Sequence, residues 1–595
     1  MKSLKILGLV LFAAGFFLFN ASFFLADYKL TASTVEEKIN DSIKKELFLT
    51  HSAKLLNRRV DSNFTFVKEL SQIFASINDQ VIENFRISDE EIAKIAQRGS
   101  TFSISSIDSV FRTSNETASF KAKAFKDFGS NLDGKSFESE EALTKELKNV
   151  SEKIVAYGII NKVGFDRYVQ KDLKYVLTKA SAESPVKNNP FGYFLLTFGL
   201  CIIGSLIYIL PKVKEQEGIK NNNIFFNPMK NVGWLGILTG TWLIIFYIVL
   251  YFYPEYMTNW IIMVDPISKL LNGNEAGRFF LYGLIYTLCI LVMGVRMIIH
   301  YRHSPYQILR TISVMFFQTA FAFLIPEILI RLNKPYFDFK NIWPLDYTLF
   351  FDYRLNELIA GGQLGIFMLG WGITLIIVAV PVLVYFFGKR WYCSWVCGCG
   401  GLAETLGDPY RQLSNKKLKA WKIERWMVHG VLVFAIVMTV AVLYTYWTGS
   451  SQILFLDSYT LREIYGFAIG STFAGVIGTG FYPLMGNRVW CRFGCPLAAY
   501  LGLVQRFKSR FRITTNGGQC ISCGNCSTYC EMGIDVRWYA QRGQNIIRSS
   551  CVGCGICSAV CPRGVLNLEV KDEEGRFGKP ILIGNNNVTA NNPNN

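Results

Sequence analysis

Residues 364–397 read LGIFMLGWGITLIIVAVPVLVYFFGKRWYCSWVC: an uncharged apolar run to Phe387, then Gly388, two cations and a C-x3-C motif. An uncharged run of that length crosses a bilayer as a helix, and it stops on basic residues, as cytoplasmic helix ends do. The arrangement recurs in a second apolar run at 465–485 followed by GNRVWCRFGC at 486–495. Both copies read G-x-R-x-aromatic-C-x3-C, and the likeness continues in GLAETLG (401–407) against PLAAYLG (496–502). The first copy has three extra residues, Gly398, Cys399 and Gly400. Cysteines four apart on a helix share one face, so two such helix ends side by side bring Cys393, Cys397, Cys491 and Cys495 together. Soft thiolates suit iron–sulfur clusters, copper(I) and zinc alike. The quartet could therefore hold a cluster, bind copper or act as a dithiol pair, with Cys399 as a substitute ligand.

Further apolar runs lie at 6–26, 190–210, 232–253, 279–299, 308–330 and 427–447. The expected fold is mainly α, a polytopic helical membrane protein of about eight spans. Composition agrees: 51% of residues are hydrophobic and 18% charged, against about 25% charged in ordinary soluble proteins. A soluble enzyme, a disordered chain and a collagen-like chain are excluded. The first run follows Lys2 and Lys5 and lacks a small-residue cleavage site, so 1–26 reads as an uncleaved signal anchor. Residues 27–189 are polar, free of cysteine and helical in spacing over 35–57 and 140–159. They read as an α-rich soluble domain.

With Lys2 and Lys5 inside, the inner connections carry Lys212, Lys214, Lys220, Lys230, Arg302, Lys389, Arg390 and Arg411, then the basic run 416–425. This follows the positive-inside rule. It predicts a multi-pass protein of the bacterial inner (cytoplasmic) membrane, with 27–189 extracytoplasmic and the clustered cysteines cytoplasmic. The net charge of +17 belongs to these connections. No nucleic-acid motif is present, so the expected partners are the lipid bilayer and redox proteins. The basic run reads as a contact for anionic lipid or for an acidic electron carrier.

Thirteen of the 15 cysteines lie between 393 and 561. Cys520, Cys523, Cys526 and Cys530 are spaced C-x2-C-x2-C-x3-C; Cys551, Cys554, Cys557 and Cys561 repeat this spacing, and Pro562 follows. This is the bacterial ferredoxin pattern, in which the fourth cysteine of each run ligates the other cluster. One [4Fe–4S] cluster is expected on Cys520, Cys523, Cys526 and Cys561, and a second on Cys551, Cys554, Cys557 and Cys530. Structural zinc sites use pairs of cysteines instead. Glu531 stands where a proline is common. The 20 residues between the runs, with Arg537, Trp538, Arg542 and Arg548, read as a solvated basic linker. Cys201 and Cys289, inside spans, read as core packing. The expected divisions are an anchor at 1–26, an outer domain at 27–189, a membrane domain at 190–510, a dicluster α+β ferredoxin domain at 511–570 and a tail at 571–595, disordered at its Asn-rich end.

A transmembrane haem relay is not expected, because His300, His303 and His429 offer no pair in the outer half. Arg296, Gln318 and Glu327 lie within or near spans and suggest a quinone pocket; alternatively Glu327 pairs with Arg331. No catalytic residue is visible.

Residues 364–569 resemble the NosR/NapH type of membrane polyferredoxins, and also the FixG/RdxA-type iron–sulfur proteins. WCRFGCP at 490–496 fits the first type closely, whereas Gly398 replaces the proline of the first copy. The resemblance implies an electron-transfer component working between a cytoplasmic or quinol donor and a membrane or periplasmic partner system, with a third cluster at the quartet as one option. The FixG/RdxA likeness implies an alternative, a copper reductase or metallo-oxidase assembly factor using the C-x3-C thiols. A redox sensor with 27–189 as its input domain is a further alternative. NosR-like proteins carry an outer flavin domain with a flavin-linking motif; 27–189 has no such motif, so no covalent FMN is expected.

Overall fold

The computed structural model describes residues 2–97, 102–104, 107–111, 116–137, 139–215, 233–453, 456–507 and 509–570. The expected tail and two of the inner cations, Lys220 and Lys230, lie outside the described residues. The chain is mainly helical and divides into two compact units.

One unit comprises Asn20–Pro190 together with Pro254–Met263. Its helices start on side-chain caps: Thr31, Asp41, Ser62, Ser139 and Asp166 each accept from a first-turn amide, and Ser88 with Glu91 forms a capping box. The longest helix, Asn63–Phe85, buries Phe66, Val67, Leu70, Ile73, Phe74, Ile77 and Val81, the three-and-four spacing of one apolar face. The segment 254–263 is not visible as part of this unit from 27–189 alone. Thr258 bonds the Tyr28 hydroxyl at 3.1 Å, and Asn259 accepts from Ser184 at 2.8 Å and donates to Leu25 O at 2.8 Å.

The other unit takes in the N-terminal helix up to Phe19, Phe191–Tyr253 and the chain from Val264 on. Among the described residues, seven helices are long and apolar enough to cross a membrane: Lys2–Ser22, Pro190–Lys214, Trp234–Phe252, Arg278–His300, Pro305–Arg331, Gly362–Phe387 and Leu418–Thr448. The eighth expected span, 465–485, is helical but not uniform. A helix begins at Ser458, widens into π-turns over Gly466–Ile477, breaks at Phe481 and restarts as Tyr482–Met485. Its glycines and threonines make it less apolar than the other seven.

The connection between Pro305–Arg331 and Gly362–Phe387 folds back among the helices. Ile342 is 1% exposed and shares a core with Val380 and Val384. Trp343 Nε1 donates to Thr439 Oγ1 at 3.0 Å, well inside Leu418–Thr448, and Trp371 Nε1 donates to Phe339 O at 2.8 Å. Such irregular backbone survives between membrane helices only where protein buries it.

At the C-terminal end, strands Phe511–Thr515 and Leu566–Val570 pair antiparallel, Phe511 opposite Val570 and Thr515 opposite Leu566. Two short helices, Asn525–Thr528 and Ile556–Ala559, lie between them in the chain. The basic insertion is not a solvated linker: Ile534, Val536, Ala540 and Ile546 are buried, and Ile546 bridges Ile513.

Candidate metal centres

The two cysteine runs at 520–530 and 551–561 have the same backbone. Positive φ angles fall at Ser522, Gly524 and Gly533 in the first, and at Gly553, Gly555 and Gly564 in the second. These bends wrap each three-cysteine loop. Cys520, Cys523, Cys526 and Cys561 line one small cavity, so the fourth thiol arrives from the other run. Cys530 in turn lies close enough to Cys551 and Cys557 for its charge to raise both, beyond the larger effect of burial. The donor set fits a cluster at each place. Burial pushes Cys526 up to about 12 and Cys551 up to about 11, so free thiols there hold their protons and a metal must displace them. Backbone amides of Ser527, Ile534, Gly553 and Ser558 donate to Cys526, Cys530, Cys551 and Cys557 in turn, and such bonds favour the thiolate.

The quartet also converges. Cys393, Cys397, Cys399, Cys491 and Cys495 line one cavity with Tyr392, Trp490 and Leu345. The geometry differs from the expected single helix face. Cys393 ends the short helix Arg390–Cys393, whereas Cys397 caps the next, Gly398–Thr405. Cys491 lies in the π-turn Trp490–Gly494, and Cys495 caps it. Each copy is turned into place by a glycine, Gly388 at φ 64° and Gly486 at φ 95°. A Cβ at Gly388 would come within 2.7 Å of the Phe511 ring, and one at Gly486 within 2.8 Å of Ser414 N.

The folded-back connection packs against these cysteines. Leu345 of the folded-back connection lines their cavity, and Lys340 of that connection is close enough to Cys397 and Cys399 to feel their charge. Cations suited to thiolate ligands surround the site. Arg488 Nη1 donates to Cys491 Sγ at 3.6 Å and to Cys393 O at 3.3 Å, and Lys389 lies near Cys393. The Cys399 thiol donates to Cys397, lowering Cys397 while Cys399 itself is raised.

A buried ion network joins these centres. Glu404 accepts from Arg411 at 2.9 Å and from Arg488 at 2.6 Å, and it pairs with Arg310 at 2.7 Å. Glu531, fully buried, accepts from Arg411 at 2.8 Å and from Asn487 at 3.1 Å, and its other oxygen pairs with Arg488 at 3.1 Å. Asp408 pairs with Arg411 at 3.2 Å and Arg296 at 3.0 Å. Burial alone would raise Glu404, but the three guanidinium groups hold it well below the usual carboxylate range. Glu531 is thus the residue that ties the first run to the membrane unit. Its standing in place of a proline was the one sequence signal for it. Arg411, expected as a surface cation, is in the core. Lys416 also departs from a lipid-facing role: burial lowers it to about 8, and it lies near Cys530.

The remaining candidates do not meet. Arg296 is committed to Asp408, Gln318 donates to Thr287 at 3.3 Å, and Glu327 accepts from Asn272 at 2.5 Å. Glu327 does not pair with Arg331, which donates instead to Leu270 O. His303 contacts Ala559 O at 3.3 Å, and His429 contacts Arg425 O at 2.6 Å.

Known proteins share this part of the chain. Residues 371–420 and 466–514 match the family of 4Fe-4S binding domains, and 519–566 match the 4Fe-4S dicluster domain. The putative electron transport protein YccM of Escherichia coli is 26% identical over 170 residues, 27% of this chain and 47% of that protein. The methylamine utilization ferredoxin-type protein MauN of Methylobacillus flagellatus is 28% identical over 154 residues, 26% of this chain and 52% of MauN. Protein NirI of Paracoccus denitrificans is 27% identical over 188 residues, 30% of this chain and 26% of NirI. The chain spans about half the length of the first curated relatives it matches, and no solved structure matches it. Residues 371–420, 466–514 and 519–566 are thus similar to 4Fe–4S binding domains, set here among membrane-like helices.

Proposed function

We propose that the protein is an iron–sulfur electron conduit of the bacterial inner membrane. It works between a soluble donor on the cytoplasmic side and a membrane or periplasmic partner. Cys520, Cys523, Cys526 and Cys561 would hold one [4Fe–4S] cluster, and Cys530, Cys551, Cys554 and Cys557 a second. Cys393, Cys397, Cys491 and Cys495 would hold a third. Clusters of this kind supply one-electron transfer, at potentials set by burial and by hydrogen bonds to sulfur.

The observation that carries the reading is the continuity of the cysteines. Every clustered cysteine except Cys523 belongs to one contiguous core, from the partly exposed Cys520 to the buried quartet. The loop 520–523 is the face for a soluble donor, with Ile521 half exposed at 50%. Arg488 and Lys389 stabilise negative charge at the quartet. The electron-transport and ferredoxin-type names of YccM and MauN favour the same role. Iron per chain, counted on anaerobically purified protein, tests it. About 12 atoms are expected for three clusters. About 8 would remove the third, and zinc in place of iron would overturn the reading.

Copper(I) at the quartet is a second reading, favoured by the fifth thiol, Cys399, in the same cavity. Copper bound in place of the last four iron atoms would establish it.

A further inference from the structure

The insertion between the two cysteine runs has two ends with different neighbours. At one end Arg548 stacks over Trp421, 4.9 Å from the ring centre, in the first turn of the helix Leu418–Thr448. At the other end the short helix Val536–Gln541 lies against the outer cysteine loop. Arg537 N donates to Ser527 Oγ at 2.7 Å, and Gln541 donates to the Ser522 hydroxyl. The Arg537 guanidinium reaches over the loop, 3.9 Å from where a Cβ at Gly524 would stand.

This end is cationic. Arg537 and Arg563 line the cavity of Cys520, Cys523, Cys526 and Cys561. Both are exposed, and among the described residues neither pairs with a carboxylate. Between 516 and 566 the acidic residues are Glu531 and Asp535, against Arg537, Arg542, Arg548 and Arg563. Glu531 is buried in the ion network, and Asp535 accepts from Ser527 at 2.6 Å. The end also exposes apolar surface. Trp538 is 43% exposed and Ile521 50%, and Arg542 stands 4.1 Å over the Trp538 ring and holds it in place. Tryptophan and arginine beside an apolar centre are what interface hot spots are made of. The cavity behind this rim is the place of the outer cluster, so a ligand meets the rim from outside. An anionic membrane would match the cations but has no redox centre to set against the cysteines.

We propose that the rim formed by Arg537, Arg563, Trp538 and Ile521 docks a small soluble one-electron carrier with an acidic surface. Opposite charges steer the encounter, and the exposed indole and isoleucine hold the partner briefly, as suits a small, transient redox contact. One electron passes, the carrier being oxidised as the outer cluster is reduced. The inference rests on the electron-transfer reading and names the chemistry of its donor. It gives the insertion a role at each end: Arg548 fastens it to a membrane helix, and Arg537 guards the entry of electrons.

The test uses the iron-loaded full chain in phosphatidylcholine nanodiscs. The probe is a dye-labelled acidic bacterial ferredoxin followed by fluorescence anisotropy, with cytochrome c, a basic one-electron carrier, as control. At about 10 mM salt, saturable binding of the ferredoxin and none of cytochrome c is expected. Binding should weaken about tenfold at about 150 mM, as the screening length shortens from about 30 to about 8 Å. Arg537→Glu with Arg563→Glu should weaken it about tenfold or more at low salt, and the corresponding pair of glutamine substitutions by less. The glutamine pair keeps the test decisive where the glutamate pair loses iron. Lys419→Glu with Lys422→Glu should leave binding within about twofold, these exposed cations being screened from the rim. Phenylglyoxal labelling of Arg537 and Arg563 should be blocked by the ferredoxin, and not by replacing phosphatidylcholine with phosphatidylglycerol. No binding by the unaltered protein, binding indifferent to salt, equal binding of cytochrome c, equal loss in the Lys419 and Lys422 variant, or labelling blocked by the lipid would each overturn the proposal. Iron content and the electron paramagnetic resonance of the electrochemically reduced protein are recorded on every sample. Full iron with no ferredoxin binding removes this inference alone; absent iron removes the electron-transfer reading itself.

Discussion

The two cysteine runs of the ferredoxin region share a backbone but not surroundings. In the second run, Ser394 donates to Val552 O at 2.7 Å, Tyr306 to Gly553 O at 2.8 Å and Gln307 to Cys554 O at 2.8 Å. Gln505 adds a bond to Arg548 O at 2.7 Å. Its loop is fastened to membrane helices through its own carbonyl groups. In the first run the loop 520–523 faces outward, and the fastening comes after it, through Glu531. Cysteine loops of the same spacing and the same backbone turns have thus been divided into an inner and an outer one by what packs against them. The matching positions Ser522 and Gly553 show the difference. Both have φ near 60°, but a Cβ at 553 would lie 2.6 Å from Arg390 Cβ and 2.9 Å from the Phe511 ring.

The largest break should come at Glu531. Glu531→Leu leaves Arg411 and Arg488 with less buried counter-charge and should cost about 3–5 kcal/mol. Pro562→Ala, the same position in the other run, should cost no more than about 1 kcal/mol. Denaturant unfolding in detergent compares the two. Gly553→Ser, which copies the outer loop into the inner one, should cost about 1–3 kcal/mol in backbone strain and lower the iron count. Ser522→Gly should keep full iron. Tyr306→Phe and Gln307→Leu each remove one bond to the inner loop, worth about 1 kcal/mol. Each should loosen 551–557 without changing the outer loop, as read by hydrogen exchange.

The smallest effect concerns acid. Burial would raise Asp408, but Arg296 and Arg411 overcome burial and hold it below the ordinary range. A carboxylate depressed in the folded state adds stability above its unfolded value, about 3.9, and loses it as pH falls through the folded one. The stability gap between the unaltered protein and Asp408→Asn should therefore be constant near neutral pH and shrink below about pH 4.

What was legible in the sequence was local. Cysteine spacing, the repeated G-x-R-x-aromatic-C-x3-C and the long apolar runs are each contained in a short window, and the comparisons and the structure agree on an iron–sulfur, mainly helical membrane protein. Contacts across the chain were not legible. Glu531 meets Arg411 120 residues away, and no spacing rule links them. The folded-back connection was not legible either, although the apolar patch Ile342, Trp343, Pro344 and Leu345 inside it was a signal. The quartet's turns were misread as one helix face because each copy breaks before its second cysteine: Arg390–Cys393 ends and Gly398–Thr405 starts after Cys397, and Trp490–Gly494 ends before Cys495.

The segment 254–263 has a consequence for modularity. The chain passes between the two units after Phe19, Pro190, Tyr253 and Met263, so the Asn20–Pro190 unit is not a cassette. Cutting 27–189 out would strand Met257, Trp260, Ile261, Ile262 and Met263, all buried in the intact chain, and expressing 27–189 alone would leave the Tyr28 and Ser184 hydroxyls without Thr258 and Asn259. Exchange of this unit between proteins therefore requires two separated stretches of chain to move together, and a stable isolated version needs 254–263 grafted back.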